Sequence, residues 1–381
     1  MSLRRALALT AAVLLLAPMA RSGHEQPIYP SYYPHEIEIA AAVDPQAAGE
    51  LLGKGKLHAY VGGAPSFTGA APKGVASAPS LGALLVVRLN ASSALVKDEA
   101  SACAAVGAIV RELATKGGDV VAHPYPVTPW HGDYLHHADL AEAALARFGG
   151  AAPNAPAVAG LKVRAEGALA QSLVRPEWRA EGDDWNVAIA AVDAGQLVVS
   201  ATVRVNGWMG PRWARSGWFH AYRLLADTIA DPEARQRVEV DAARLRSGDI
   251  ANAAERANLE RDLVRRLTAG CRGAVAGYTV KREFYNATFS DGIENLAPDA
   301  LEGLNSPMFL RTVKLKDFPW NGWLKLGTPV SPRAAWNPVG GFGDGFGRLM
   351  WSAIGDPTAI PSPYGHGWVL NRISEVKASP R

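Results

Sequence analysis

Residues 36–62 read EIEIAAAVDPQAAGELLGKGKLHAYVG, and this stretch decides the predicted fold. Polar and apolar residues alternate over 36–39, which is the period of a β-strand. Asp44 followed by Pro45 is typical of a helix start, because aspartate caps the first turn and proline fits the first helical position. Alternation returns over 57–61 and predicts a second strand. A strand, a helix and a strand within so short a stretch are about the size of a parallel crossover.

Strands and helices continue to alternate along the next part of the chain. Residues 84–87 are apolar without interruption, as in a strand that is buried on both faces. A helix capped by Asp98 follows, then a short strand over Val120–Ala122, and then a helix from about Asp133 to Gly149. This pattern predicts an α/β fold in which helices cover the faces of a sheet.

The second half of the chain has a different pattern of predicted elements. Residues 151–159 hold two prolines and an asparagine among alanines, and we expect them to form a linker. Residues 185–191 and 196–205 read as two strands joined by a hairpin turn at 193–195. The predicted helices of this half cover about 218–229 and 255–269. The last eighty residues contain many of the tryptophans and few long periodic stretches.

The stretch 36–62 resembles the opening module of type II periplasmic solute-binding proteins, the receptors of ABC importers. The shared features are a strand, a short capped helix, and a Gly-Lys-x-x-Ala-Tyr-Val-Gly strand with its ligand loop over 55–62. The resemblance implies two α/β lobes that close on a ligand without covalent chemistry, and importer membrane subunits as partners. The second half departs from the family pattern, since it does not read as a second alternating lobe. The predicted fold is therefore a two-lobed α/β protein with an α/β lobe over 23–150 and a mixed α+β, tryptophan-rich region over 160–381.

The first residues predict export to the periplasm. Arg4 and Arg5 precede an apolar run over 6–16, and 20–22 place small residues at the two positions that a signal peptidase reads. We expect cleavage after Ser22. The apolar run is too short to cross about 30 Å of hydrocarbon, so a membrane-embedded protein is not expected.

The charge balance excludes several partners. The chain has 39 Lys and Arg against 36 Asp and Glu, and loss of the three arginines of the signal peptide leaves 36 of each. Nucleic acid binding rests on neutralising phosphates, and a neutral chain without a basic stripe is a poor candidate for it. The same reasoning argues against binding to an anionic membrane surface.

Cys103 and Cys271 are the two cysteines of the chain. In an oxidising compartment two thiols can pair, so a disulfide is one interpretation. Each cysteine also continues an apolar stripe with helical spacing, which favours two unpaired core positions, and this is the interpretation we prefer from sequence. Two cysteines are too few for a metal site made of cysteine pairs.

The densest cluster of reactive side chains lies within 123–139, after a predicted strand and across the start of a predicted helix. The candidate metal ligands in it are His123, His131, Asp133, His136 and Asp139. Imidazole nitrogens together with carboxylate oxygens suit zinc, copper or iron, so the cluster allows a bound metal ion of unspecified identity. The competing interpretation is structural: Asp133 caps its helix, while His136 and its neighbour His137 are solvated residues of the first turn.

Aromatic residues near basic ones mark a second set of candidates. Trp208, Trp213 and Trp218 recur at steps of five residues with Arg212 between them, and aromatic rings beside guanidinium groups can bind a ring or a sugar. The alternative is that tryptophans build a core where regular elements are few. The candidate ligand-binding residues are Tyr125, Trp130, Trp208 and Arg212.

Two other stretches have simpler interpretations. Residues 291–295 place oxygen donors around a glycine, but they lack the spacing of a calcium loop and read as a polar turn. Residues 340–347 read GGFGDGFG and lack the lysine of a phosphate-binding loop, so we interpret them as a flexible loop.

Three functions are compatible with these features. The first is a periplasmic solute-binding protein for a metal ion, a metal chelate or a small polar solute, serving an ABC importer. The second is a periplasmic metalloenzyme or redox protein that uses the histidine and aspartate cluster. The third is an assembly partner of an exported complex. The sequence favours the first function, and it indicates a binding protein rather than an enzyme.

Overall fold

A computed structural model shows a mixed α/β protein built around one large sheet. The structure describes residues 34–149, 160–204, 210–317, 322–331, 344–355, 357–365, 367–371 and 373–375. The predicted signal peptide over 1–22 and the predicted linker over 151–159 lie outside the described residues.

The strands of the described chain are β1 (Glu36–Ala40), β2 (Ala59–Tyr60), β3 (Val75–Leu89), β4 (Val120–Ala122), β5 (Val163–Glu166), β6 (Val187–Asp193), β7 (Gly273–Asn286), β8 (Ile293–Asn295), β9 (Lys314–Leu315), β10 (Trp323–Gly327), β11 (Ala359–Pro361) and β12 (Trp368–Leu370). The large sheet has the order β1-β10-β2-β7-β3-β6-β5, and β4 pairs with β7. The pairs β8 with β9 and β11 with β12 form two small ribbons.

Helices cover this sheet and the ends of its strands. They are α1 (Pro45–Gly53), α2 (Glu99–Ala114), α3 (Ala138–Gly149), α4 (Ala168–Leu173), α5 (Ala194–Arg204), α6 (Gly217–Leu225), α7 (Pro232–Ser247), α8 (Ala253–Leu267), α9 (Pro307–Thr312) and α10 (Gly345–Ile354). Short 3-10 turns lie at Tyr134–His136 and Arg212–Arg215, among others. Within the described ranges, none of the helices is both long enough and apolar enough to span a bilayer.

The sheet has two parts that share their two longest strands. β3 and β7 are antiparallel to each other and run through both parts. On one side the parallel strands β1, β10 and β2 extend the sheet from β7. On the other side β6 and β5 extend it from β3. The pairing of β3 with β7 shifts register between Leu81 and Leu84, near the boundary between the two parts.

Each part has its own apolar core. Leu324 and Phe309 belong to the core beside β1, β10 and β2. The other part is covered on both faces, because successive residues of a strand point to opposite sides of the sheet. Leu84 faces the cluster of α6, α7 and α8, whereas Leu85 faces the cluster of α2 and β6. The two-lobed α/β architecture expected from sequence therefore corresponds to two parts of one continuous sheet, each with its own apolar packing.

Several local predictions are confirmed. Asp44 accepts hydrogen bonds from the backbone N–H groups of Gln46 and Ala47 at the start of α1. The predicted strand at 84–87 is buried on both faces. The crossover between β1 and β2 is also present, but β10 lies between these two strands and pairs parallel with both.

The predicted hairpin over 185–205 is wrong in its second strand. Residues 187–193 form β6, but the chain then continues directly into helix α5. The Asp193 carboxylate accepts a hydrogen bond from the backbone N–H of Gln196 at 2.8 Å, as a helix cap does. The alternation of polar and apolar residues after Gly195 was too short to distinguish a strand from a helix.

The proposed boundary at 151–159 does not separate two sheets. β3 precedes it in the sequence, while β6 and β7 follow it, yet β3 pairs with both. Hydrogen bonds of the main sheet therefore cross this point of the chain. The two parts are each built from segments on both sides of 151–159.

Cys103 and Cys271 form a disulfide, contrary to the interpretation preferred from sequence. Their Cα atoms are 5.0 Å apart and their sequence separation is 168. Cys103 lies on α2, but Cys271 lies in the turn between α8 and β7 rather than on the helix. The helical stripe that suggested an unpaired core position therefore ends before Cys271.

Candidate functional site

The predicted cluster over 123–139 is well ordered by hydrogen bonds. His123 Nε2 contacts the carbonyl oxygen of Val127 at 3.0 Å, and burial lowers the pKa of His123. The Tyr125 hydroxyl contacts Nδ1 of His137 at 2.9 Å. Burial lowers the pKa of His137 to about 4 and raises the pKa of Tyr125. His137 is thus a buried neutral ring and not a solvated residue of a first turn.

His131 forms a buried chain of hydrogen bonds with His220. The backbone N–H of Thr128 donates to His131 Nδ1 at 3.0 Å, so this nitrogen carries no proton. His131 Nε2 therefore donates to His220 Nδ1 at 3.0 Å, and His220 Nε2 donates to the carbonyl oxygen of Ala214 at 3.0 Å. Both rings are neutral in this arrangement, and burial lowers the pKa of His220 to about 3.

Asp133 does not cap the local helix turn that follows it. Its carboxylate instead accepts hydrogen bonds from the backbone N–H groups of Gly217 at 2.9 Å and Trp218 at 3.2 Å. These donors belong to the first turn of α6, and Ser216, the N-cap residue before this helix, makes no side-chain capping hydrogen bond. Asp133 therefore serves as the cap of a distant helix.

Asp139 and His136 lie at the surface. The Asp139 carboxylate forms a bidentate ion pair with Arg261, with both N–O distances at 2.8 Å. This pairing lowers the pKa of Asp139 to about 2. The backbone carbonyl of His136 accepts a hydrogen bond from the same guanidinium group.

The five predicted metal ligands consequently have separate structural roles. Within the described residues there is no group of three or more His, Cys, Asp or Glu side chains arranged to hold a metal ion. The stretch near Asp291 agrees with its interpretation as a polar turn, because Thr288 and Ser290 both donate hydrogen bonds to that carboxylate.

The predicted ligand-binding residues are likewise dispersed. Tyr125 is buried in the core, and Trp130 is half-buried against it. Trp208 lies outside the described residues. Arg212 is exposed and lines a cavity beside α8 together with His136.

A different cavity lies at the boundary between the two parts of the sheet, and we call it the junction cavity. Its volume is about 410 Å³. Gly62 follows the carboxyl end of β2, and Asp193 ends β6, which runs in the opposite direction. Lys281 of β7 lies between them. The carboxyl ends of strands from both parts therefore meet at this cavity, and in α/β proteins such ends commonly carry ligand sites.

Buried charges support one wall of the junction cavity. The Glu283 carboxylate is fully buried and accepts hydrogen bonds from the backbone N–H groups of Gly62 and of Leu304, the latter at 2.7 Å. Lys281 Nζ lies 3.6 Å from Glu283 and donates to the carbonyl oxygen of Glu302. Lys281 therefore contacts Glu283 and the Glu302 backbone, and it also lines the cavity.

Glu302 also lines the junction cavity, and two arginines hold its carboxylate. Arg215 lies 2.9 Å from it and Arg348 lies 3.4 Å from it. Arg215 also contacts Asp299 at 2.5 Å. These four side chains form a buried network, in which opposite charges offset the cost of burial.

The remaining polar groups of the junction cavity are mostly acceptors. Asp193 and Asp344 line it and cap α5 and α10. Asn305 also lines it, and its buried Oδ1 atom has no hydrogen-bond partner among the described residues. A buried acceptor without a partner is costly unless a ligand or water supplies a donor. The cavity thus offers the ammonium group of Lys281 together with several acceptors.

Two glycines are required for this arrangement. Gly62 has φ +77, and a Cβ atom there would lie 2.5 Å from the Phe346 ring. Gly303 has φ +67, and its Cβ atom would lie 1.7 Å from Oε2 of Glu283. Both positions need a residue without a side chain.

Sequence reasoning missed the residues of the junction cavity. Lys281 and Glu283 alternate on a strand, which is an ordinary pattern for an exposed face. Asp193 was read as part of a hairpin turn. Of the glycine-rich stretch 340–347, the last four residues are described, and there Asp344 caps α10.

Comparisons with known proteins give no sequence relative. No protein-family model matches the chain, and no curated protein matches it. Solved structures similar to it include the ABC transporter-associated periplasmic binding protein DppA from Helicobacter pylori in complex with peptide STSA, with 9% identity over 72% of this chain and 55% of that chain, at a TM-score of 0.41.

Two other solved structures are similar to the chain to a comparable degree. OppA of Haemophilus influenzae, in complex with the peptide RPPGFSPFR, has 14% identity over 71% of this chain and 56% of its own, at a TM-score of 0.39. HbpA2 from Haemophilus parasuis has 11% identity over 70% and 55%, at a TM-score of 0.38. The chain spans a little over half the length of these proteins. Of these three, DppA is described as an ABC transporter-associated periplasmic binding protein.

Proposed function

We propose that this chain is a periplasmic solute-binding protein that holds a small polar solute in the junction cavity and delivers it to an ABC importer. The observation that carries the proposal is the charge arrangement of that cavity. One lysine and several oxygen acceptors line a space of about 410 Å³, which is within the range of small-molecule sites. The position at the meeting of two strand ends adds to this argument.

The same arrangement indicates the kind of solute. Lys281 is a donor for a carboxylate, while Asn305 Oδ1 and the Glu302 carboxylate are acceptors for an ammonium or amide N–H group. A solute that carries both an ammonium and a carboxylate group meets both needs, as an amino acid or a short peptide does. A bare metal ion offers no acceptor to the Lys281 ammonium group.

The test is calorimetry on the mature protein with trialanine and its two capped forms. N-acetylation removes the ammonium group, and amidation of the C-terminus removes the carboxylate. We expect each cap to weaken binding by about tenfold or more, because a hydrogen bond to a charged group contributes about 1.5–3 kcal/mol. Equal binding of all three forms, or no saturable binding of any, contradicts the proposal.

A matched pair of variants assigns the carboxylate contact. In Lys281→Met the free peptide and its C-terminal amide should bind alike, because the donor for the carboxylate is gone. Lys54→Met is the control, since Lys54 is exposed at the C-terminal cap of α1 and its ion pair with Glu50 lies at the surface. Retention of the amide effect in Lys281→Met would move the carboxylate contact to another residue.

Export is part of the same proposal and is tested separately. We expect the exported protein to begin at Gly23, after cleavage behind Ser22. Amino-terminal sequencing of protein from the periplasmic fraction measures this directly. A protein that keeps Arg4 and Arg5 after fractionation would contradict the cleavage.

A further inference from the structure

A second cavity shares no lining residue with the junction cavity. It is enclosed by the 3-10 turn Arg212–Arg215, the end of α7 and the start of α8, and its volume is about 430 Å³. We call it the arginine-rimmed cavity. It brings together His136 and Arg212, which the sequence marked separately.

The lining of this cavity is predominantly positive. Arg212, Arg246 and Arg256 line it, and the one carboxylate among the described lining residues is Glu260. Arg212 and Arg246 are exposed, so these guanidinium groups stand at the rim. Planar guanidinium groups bind carboxylate and phosphate oxygens with two parallel hydrogen bonds. The rim therefore favours an anionic group.

The deeper lining is apolar. Leu245 is buried, and Trp213 is half-buried, with its ring 4.6 Å from that of Phe219. A large aromatic surface braced in this way suits a flat apolar body. The lining therefore combines an anion-binding rim with an apolar interior.

Glu260 adds a third feature inside the cavity. It is only 5% exposed, and its described ion-pair partner is Arg256 at 3.6 Å. A buried carboxyl group at a cavity wall gains from a donor that a ligand supplies. Burial, together with the nearby Asp133 carboxylate, raises the pKa of Glu260 to about 7.

We infer that the arginine-rimmed cavity is a second binding site, for an organic anion with an apolar body and an N–H or O–H donor. The anionic group lies on the rim arginines, the apolar body lies against Trp213 and Leu245, and the donor faces Glu260. This site is independent of solute binding in the junction cavity.

The test compares N-acetyl-L-tryptophan with N-acetyl-L-tryptophanamide on the full mature chain. The two probes have the same indole and the same acetyl N–H group, and they differ in carboxylate against carboxamide. Calorimetry and ligand-observed NMR measure both. We expect the acid to bind about tenfold or more tightly than the amide, because charged partners strengthen the rim hydrogen bonds.

Two variants of α7 locate the site. Arg246→Gln should weaken binding of the acid by about tenfold and leave binding of the amide nearly unchanged. Arg237→Gln is the matched control, because Arg237 is exposed on the same helix and pairs with Glu233 outside the cavity. Trialanine in saturating amount should not displace the acid, which separates this site from the junction cavity.

Three results would overturn the inference. They are equal binding of acid and amide, an Arg246→Gln effect no larger than that of Arg237→Gln, and absence of saturable binding of the acid. Circular dichroism of each variant shows whether a loss of binding comes from unfolding, and Arg212→Gln supplies a second rim variant if Arg246→Gln fails to fold.

Discussion

Asp133 and Trp218 are 85 residues apart, yet the Asp133 carboxylate accepts a hydrogen bond from the backbone N–H of Trp218. A second hydrogen bond comes from Gly217, so one carboxylate satisfies two of the N–H groups that open α6. Trp218 itself is fully buried in the core cluster that α6 forms with α7 and α8. The contact therefore fixes the start of a core helix to the loop that follows β4.

Asp133→Ala should destabilise the protein by about 2–4 kcal/mol, because two backbone N–H groups lose their acceptor in the interior. Urea unfolding measures the change. Asp139→Ala is the control, since its ion pair with Arg261 is exposed on the aspartate side and should contribute less than about 1 kcal/mol. Equal losses in the two variants would show that Asp133 is not a helix cap.

Acidification below pH 6.5 should destabilise the protein through its buried histidines. The folded state keeps His220 and His137 neutral down to about 3 and about 4, whereas the unfolded chain protonates them near 6.5. The unfolded state then binds more protons, so stability is full above pH 6.5 and falls by up to about 1.4 kcal/mol per pH unit for each histidine below it. Urea unfolding at pH 7, 6 and 5 gives this slope.

Glu260 changes stability with pH in the opposite direction from the histidines. Its contribution must therefore be removed before the histidine slope is measured. Its pKa is raised to about 7, so the folded state binds its proton before the unfolded state does, and this group adds stability as the pH falls through 7. The histidine slope is therefore measured in Glu260→Gln. Adding His220→Gln and His137→Gln should flatten it, while the exposed His136→Gln should leave it unchanged. A slope that survives the double histidine change would assign the effect to other groups.

Gly303→Ala should weaken trialanine binding in the junction cavity. A methyl group there lies against Oε2 of Glu283, so the carboxylate that holds Gly62 and Leu304 must move. Gly248→Ala is a close control, because Gly248 also has positive φ, at +76, but nothing within 4 Å of the added carbon. Backbone strain alone costs about 1–2 kcal/mol, so the control should lose stability but keep trialanine binding.

For the Gly303 variant we expect both a larger loss of stability and weaker trialanine binding, measured by urea unfolding and by calorimetry. If the two glycine variants bind trialanine equally well, the position of Glu283 has no influence on the cavity.

Removing the disulfide should lower the free energy of unfolding by about 2–4 kcal/mol, because the bond closes a long loop and restricts the unfolded chain. Urea unfolding of the double variant Cys103→Ser/Cys271→Ser, compared with the unmodified protein, measures this loss of stability. Reduction of the unmodified protein by dithiothreitol should shift its unfolding midpoint to that of the double variant. A reduced protein as stable as the oxidised one would mean that the bond adds nothing to the fold.

Local signals in the sequence were sufficient for many elements. Asp44 and Pro45 identified the start of α1, and the apolar run 84–87 identified a buried strand, because these patterns depend on neighbouring residues alone. The resemblance of 36–62 to solute-binding proteins likewise depended on a contiguous stretch. None of these signals needs knowledge of distant contacts.

The remaining features depend on residues that are remote in sequence. β10 inserts between β1 and β2, although 262 residues lie between Tyr60 at the end of β2 and Trp323 at the start of β10. No local pattern specifies such a pairing. Asp133 had the sequence of a local helix cap, but its partners belong to α6. The buried histidines form hydrogen bonds with one another, with the backbone or with Tyr125, and spacing along the chain does not reveal these partners. The junction cavity joins single residues from several elements.

The bond between Cys103 and Cys271 has one more consequence, for a chain that is cut. Hydrolysis of any single peptide bond between these two residues would leave the two pieces covalently joined. The strands that flank such a cut are also paired, because β3 lies before Cys103 and binds both β6 and β7. A protease that nicks the protein between its two cysteines would therefore yield a two-chain molecule, and the nick would become visible as separate fragments only after reduction and unfolding.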